Sequence, residues 1–97
     1  MDYRVTCTEQ EPVGVPHTDA HIVLVGTVSP SGPALRWTVA QVYAAMDRGD
    51  RFYTYSERFQ RVAWVMKWNC SYCRRATLRS APDSIPDNNL DNLPTCR

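Results

Sequence analysis

The 97-residue sequence lacks long apolar segments, targeting signals and low-complexity regions. Its longest purely aliphatic run, at residues 22–25, is far shorter than the roughly 20 residues of a membrane-spanning helix. The first residues show no basic start followed by an apolar stretch of about 7–15 residues, which argues against a secretory signal. We therefore predict a cytoplasmic protein. A hydrophobic content of 43% is too high for a disordered chain, and four glycines exclude a collagen-like repeat.

Sequence motifs of common enzyme classes are also missing. The chain has no glycine-rich phosphate loop and no nucleophile elbow. It has only two histidines, His17 and His21, and nothing in the sequence indicates that either lies beside a cysteine nucleophile. We predict that the protein is not an enzyme.

One capping motif predicts a helix over residues 38–48. Thr38 and Gln41 have the spacing of a capping box, in which each side chain bonds to the backbone N–H of the other residue. Apolar residues then recur at helical spacing, and Gly49 is a typical residue to follow a helix end.

Alternating and β-branched segments predict five strands, at residues 3–9, 20–28, 51–56, 60–68 and 74–80. The proline-rich segment 29–33 indicates a loop. The resulting order β-β-α-β-β-β predicts an α+β fold, with a small antiparallel sheet packed on one helix. A chain of this length suggests a single domain over residues 1–97, with a turn-rich C-terminal tail from about residue 81.

Several phrases of the sequence resemble a family of small bacterial and phage proteins known as domain of unknown function 3892. They are Tyr3-Arg4-Val5-Thr6-Cys7, residues 22–26, Trp37, Gly49-Asp50-Arg51-Phe52-Tyr53, Thr77-Leu78-Arg79-Ser80 and Asp91-Asn92-Leu93-Pro94-Thr95-Cys96. The likeness runs along nearly the whole chain in order, although Cys70-Ser71-Tyr72-Cys73 and a longer tail depart from it. The resemblance implies a complete domain of bacterial or phage origin. It implies no activity and no catalytic residue.

The four cysteines are candidate metal ligands. Cys70 and Cys73 have the spacing of a zinc knuckle, and Cys7 and Cys96 could complete a four-sulfur site for one zinc ion. Such a site requires the first strand and the tail to reach the hairpin tip at residues 70–73. Free, partly buried thiols are one alternative, and disulfides, which would imply an oxidising compartment, are another. A redox role for the Cys70–Cys73 pair is a weaker hypothesis, since its flanks predict a hairpin instead of a helix start.

Basic residues concentrate in one segment. Residues 58–80 hold six basic side chains and no acidic one, whereas residues 1–57 hold four basic and seven acidic ones. Cations and aromatic rings are the components of a nucleic-acid surface. The candidate binding residues are Arg58, Arg61, Lys67, Trp68, Tyr72, Arg74, Arg75 and Arg79. Trp64 shares a strand face with Val62 and Met66, and we therefore assign it to the core.

These observations leave three functional hypotheses open. The first is a small non-enzymatic binding or accessory domain, stabilised by zinc if the cysteine site forms. The second is a nucleic-acid-binding module that uses the basic aromatic hairpin at residues 58–79, although the net charge of +1 gives no global attraction to nucleic acid. The third is a structural or assembly protein. The sequence does not identify the partner.

Overall fold

A computed structural model of the chain describes residues 1–12, 20–29, 32–70, 74–81, 90 and 93–96. They form β1 (Asp2–Pro12), β2 (Ala20–Ser29), β3 (Gly32–Thr38), α1 (Val39–Asp47), β4 (Arg51–Ser56), β5 (Arg61–Asn69) and β6 (Ala76–Ser80). The predicted α+β class is confirmed, but the described residues are mostly sheet and form one more strand than the sequence indicated.

The additional strand is β3, which begins inside the segment predicted to be a loop. Its backbone pairs antiparallel with β2, and the pairing runs from Ser29↔Gly32 to Leu24↔Thr38. Pro33 has no N–H to donate, but β3 is the edge strand of the sheet, where a missing donor is tolerated. The composition of residues 29–33 therefore predicted a loop, although an edge strand can begin within such a segment.

The six strands form one mixed sheet in the order β3-β2-β1-β4-β5-β6. β1 and β4 pair in parallel, with Asp2↔Arg51 and Arg4↔Tyr53 as Cα partners, while the other neighbours are antiparallel. The prediction of a purely antiparallel sheet was wrong at this one pair. Between β1 and β4 the chain forms β2, β3 and α1, and local sequence patterns do not reveal which distant strands will pair.

The helix has the caps that the sequence predicted. The backbone N–H of Gln41 donates to Thr38 Oγ1 at 3.2 Å, and the N–H of Thr38 donates to Gln41 Oε1 at 2.9 Å. The helix ends at Asp47 with Arg48 as its C-cap, and Gly49 follows with φ +95°, a conformation that glycine adopts without strain.

The core lies between α1 and the inner face of the sheet. Phe52 is its largest fully buried side chain, and its ring lies 5.2 Å from the rings of both Tyr3 and Trp37. The buried core cluster contains Val5, Ile22, Val25, Val42, Ala45, Phe52, Val65, Leu78 and Leu90. Leu90 belongs to the C-terminal tail, so the tail contributes to the core.

Residues 94–96 of the tail run along β1 on the edge that faces away from β2. The backbone N–H of Thr8 donates to the Pro94 carbonyl oxygen at 3.0 Å, and the N–H of Cys96 donates to the Thr8 carbonyl oxygen at 3.1 Å. Cys7 and Cys96 form a disulfide, with their Cα atoms 4.9 Å apart. Gly26 lies opposite Cys7 on β2, where a Cβ would overlap Cys7 Sγ and lie 3.0 Å from Cys96 Sγ. Glycine thus leaves the space that the disulfide fills.

The end of the β5–β6 hairpin nearest the connection between its two strands packs against both α1 and the start of β2. The hydroxyl of Tyr43 donates to the Thr77 carbonyl oxygen at 2.8 Å, and Thr77 Oγ1 donates to the Ile22 carbonyl oxygen at 2.8 Å. Within the described residues, no helix has the length and apolar character needed to cross a lipid bilayer.

Candidate functional site

The outer face of β1, β4 and β5, opposite α1, exposes aromatic and arginine side chains. On β4, Phe52, Thr54 and Ser56 are buried, so Arg51, Tyr53 and Tyr55 lie on the outer side. We call this surface the aromatic face, and it comprises Asp2, Arg4, Arg51, Tyr53, Tyr55, Val62, Trp64 and Met66.

The β5 side chains of the aromatic face are those that the sequence analysis assigned to the core. Ala63 and Val65 are buried, whereas Val62, Trp64 and Met66 are 47%, 39% and 43% exposed. The prediction that Trp64 is a core residue was therefore wrong. Its strand partner is Tyr53, and the two rings meet edge to face with centroids 5.9 Å apart.

Arg51 connects the charged and aromatic regions of this surface. Its guanidinium donates two hydrogen bonds to the Asp2 carboxylate, both of 2.9 Å, which is the bidentate geometry of a strong arginine–carboxylate pair. The same guanidinium lies 4.3 Å from the centroid of the Trp64 ring, within the range of a cation–π contact. Asp2 and Trp64 thus fix the position of Arg51.

Arg4 makes a similar pair of contacts on the neighbouring strand β1. Its guanidinium lies 5.2 Å from the Tyr55 ring centroid and 3.5 Å from Glu57 Oε1. Side chains of β1, β4 and β5 together enclose a shallow groove of about 530 Å³. The residues that line it are Asp2, Arg4, Tyr53, Tyr55, Val62 and Trp64.

The tyrosine hydroxyls of the aromatic face are open to a ligand. Among the residues that the structure describes, neither Tyr53 nor Tyr55 makes a hydrogen bond through its hydroxyl group. Each hydroxyl therefore remains available as a donor and an acceptor.

The predicted basic residues divide into two groups. Lys67 Nζ binds Asp47 at 2.6 Å beside the helix, and Arg75 lies 3.8 Å from Glu11 Oε2, so their charges are already partly compensated. In the described portion of the chain, no acidic side chain forms an ion pair with the exposed residues Arg58, Arg61, Arg74 and Arg79.

Only some of these arginines lie near the aromatic face. Arg79 is the strand partner of Met66 and therefore extends the face onto β6. Arg58 lies in the turn between β4 and β5, over the ring of Phe59. Arg74 and Arg75 are at the other end of the hairpin, before β6.

The two aromatic residues that the sequence analysis proposed as nucleic-acid contacts, Trp68 and Tyr72, do not belong to the aromatic face. Trp68 is half-buried, with its ring centroid 6.0 Å from that of His21 and 5.7 Å from the Arg79 guanidinium. Tyr72 lies outside the described residues. Trp68 therefore packs the end of β5 against β2, whereas Trp64 on the same strand is exposed.

The four predicted zinc ligands do not meet as a described cluster. Cys7 and Cys96 are bonded to each other, Cys70 is buried just after β5, and Cys73 lies outside the described residues. Among the described residues, no group of three or more His, Cys, Asp or Glu side chains is placed to hold a metal ion. A four-sulfur site would first require reduction of the Cys7–Cys96 bond, and zinc binding stays a prediction.

Comparison of the chain with protein-family models, curated proteins and solved structures found no match. The resemblance noted from the sequence therefore remains an expectation. Function is accordingly inferred from the geometry of the aromatic face.

Sequence reasoning missed five functional candidates, Arg4, Arg51, Tyr53, Tyr55 and Trp64. The available signal was the alternation Arg51-x-Tyr53-x-Tyr55, which places one basic and two aromatic side chains on the same side of a strand. That pattern predicts a shared face but not whether the face is buried.

Proposed function

We propose that this protein is a binding module that binds nucleic acid through the aromatic face. The observation that carries the proposal is that the half-buried Tyr53 and Tyr55 and the exposed Trp64 lie beside Arg4 and Arg51 on one side of the sheet. The sequence analysis placed nucleic-acid binding on the basic hairpin at residues 58–79, whereas the aromatic face lies on β1, β4 and β5.

The rings of the aromatic face are not needed to complete the core. The inner face is filled by Tyr3, Trp37 and Phe52 together with α1 and the tail. Large apolar side chains that remain together in solvent mark interaction surfaces in soluble proteins, and aromatic and arginine side chains are enriched there. The aromatic face therefore has the composition of a binding site.

The charge around the rings favours a polyanion. Arg4 and Arg51 are paired with Glu57 and Asp2, whereas Arg79 and Arg58, in the turn that follows β4, form no ion pair among the described residues, which leaves a net charge of +2. Arginine donates several N–H groups in a fixed plane and binds phosphate well. Neutralisation of backbone phosphates supplies most of the affinity of sequence-independent nucleic-acid binding.

A protein partner or a second copy of this chain is the alternative occupant. Val62 and Met66 favour it, because they add exposed apolar area without charge to the same surface. Their exposure also keeps the accessory and assembly hypotheses open.

The proposal is tested by fluorescence anisotropy with labelled oligonucleotides in a series of rising salt concentrations. For a single strand, the logarithm of the binding constant should fall linearly with the logarithm of salt concentration, with a slope of about −0.7 per neutralised phosphate. Arg79→Gln should make this slope shallower by about 0.7 because one phosphate contact is lost.

The matched control is Arg48→Gln. Arg48 is also an exposed arginine, but it lies at the end of α1 on the other side of the sheet, so its variant should keep the original slope. Absence of binding at low salt would overturn the proposal. If light scattering shows a dimer, and if Trp64→Ala converts it to a monomer, the result would instead support the second-copy alternative.

A further inference from the structure

We infer that the nucleic acid bound at the aromatic face is single-stranded and that its unpaired bases stack on Tyr53, Tyr55 and Trp64. This inference rests on the proposed function and specifies its ligand.

The spacing of the rings suits an extended strand. Tyr53 and Tyr55 are two residues apart on β4, which places their Cα atoms about 6.7 Å apart at 3.3–3.4 Å per residue. Bases of one strand in a duplex follow each other every 3.4 Å or so. The two residues are therefore about twice as far apart along the strand as stacked neighbouring bases are, and successive bases must separate to reach both.

The faces of the bases are accessible only in an unpaired strand. In a duplex each base is covered above and below by its neighbours, so no aromatic side chain can stack on it without unstacking the helix. Unpaired bases stack readily on tyrosine, tryptophan and the plane of an arginine. The Arg51 side chain is 61% exposed where it lies over Trp64, so a base can add to this pair.

The alternation of basic and aromatic side chains along β4 is similar to the pattern on the RNA-binding strand of sheet-based RNA-binding modules. In those modules a basic residue and two aromatic residues alternate along one strand, and a further aromatic residue lies on a neighbouring strand. Here Arg51, Tyr53 and Tyr55 alternate on β4, and Trp64 is the β5 partner of Tyr53. The structure thus presents the same chemistry on a sheet of different strand order.

The test compares a labelled thymidine single strand of about 12 nucleotides, a length within the usual site sizes of single-strand-binding folds, with the corresponding duplex. The single strand should bind more tightly. Tyr53→Leu or Tyr55→Leu should weaken single-strand binding about 5- to 150-fold, the loss typical of one stacked base. Tyr53→Phe retains the ring and should lose far less affinity than Tyr53→Leu, which separates stacking from a general effect of substitution at this position.

The outcomes distinguish this inference from the proposed function. Equal, salt-dependent affinity for single strand and duplex, unchanged in the leucine variants, would overturn stacking while nucleic-acid binding stands. Absence of binding to either probe at low salt would overturn both. Circular dichroism melting of each variant checks that a loss of binding does not come from unfolding.

Discussion

Removal of the Cys7–Cys96 disulfide is expected to lower the free energy of unfolding by several kcal/mol. The bond joins β1 to the tail across 89 residues of sequence, so it restricts nearly the whole unfolded chain. In the loop-entropy model a closed loop of this length stabilises the folded state by about 4.6 kcal/mol at 25 °C. Domains of this size have a total stability of roughly 5–15 kcal/mol, and the disulfide therefore contributes a large fraction of the free energy of unfolding.

The perturbation is the double substitution Cys7→Ala with Cys96→Ala, and the assay is thermal unfolding followed by circular dichroism. Since 1 kcal/mol corresponds to about 4–8 °C in a domain of this size, the Tm should fall by about 18–37 °C. A dithiol reductant should lower the Tm of the original protein by a similar amount and leave the double variant unchanged.

The control is Cys70→Ala, which removes a buried cysteine that does not belong to the bond. This variant should still lose stability when reductant is added. A Tm shift below about 5 °C for the double variant, with the bond shown by mass spectrometry to be intact in the original, would contradict a stabilisation of several kcal/mol, since it corresponds to about 1 kcal/mol.

Two further substitutions test packing and hydrogen bonding. Gly26→Ala should destabilise the oxidised protein by about 1–3 kcal/mol, because the added Cβ collides with the disulfide sulfurs. The same substitution should be tolerated in the double cysteine variant. If the effects of the two changes on the free energy of unfolding are additive, the proposed collision is contradicted. Tyr43→Phe should cost about 0.5–1.5 kcal/mol in chemical denaturation, because its hydroxyl bonds the Thr77 carbonyl oxygen. Tyr53→Phe is the matched control with no expected loss, and equal costs for both would show that the Tyr43 bond contributes nothing.

Local chemistry predicted those elements of the fold that depend on neighbouring residues. The capping box located the helix because Thr38 and Gln41 satisfy each other's backbone groups within one turn. Five strands were found from alternation, but β3 was missed because Pro33 resembles a loop residue until its place at the sheet edge is known. Neither the parallel β1–β4 pair nor the disulfide has a local signal, since both join distant segments.

The candidate site was not predicted because alternation along a strand shows which residues share a face but does not show which of the two faces is buried. On β5, hydrophobicity favours the set with Trp64 for the interior, yet the smaller Ala63 and Val65 are buried. The core cluster that contains Val65 also contains the large ring of Phe52 from β4, and Trp37 from β3 packs against that cluster. A closely packed interior admits only side chains of the remaining volume, so the larger set faces solvent. The side of the sheet that carries the proposed site is thus decided by the volume of residues elsewhere in the fold, which a single strand's sequence does not contain.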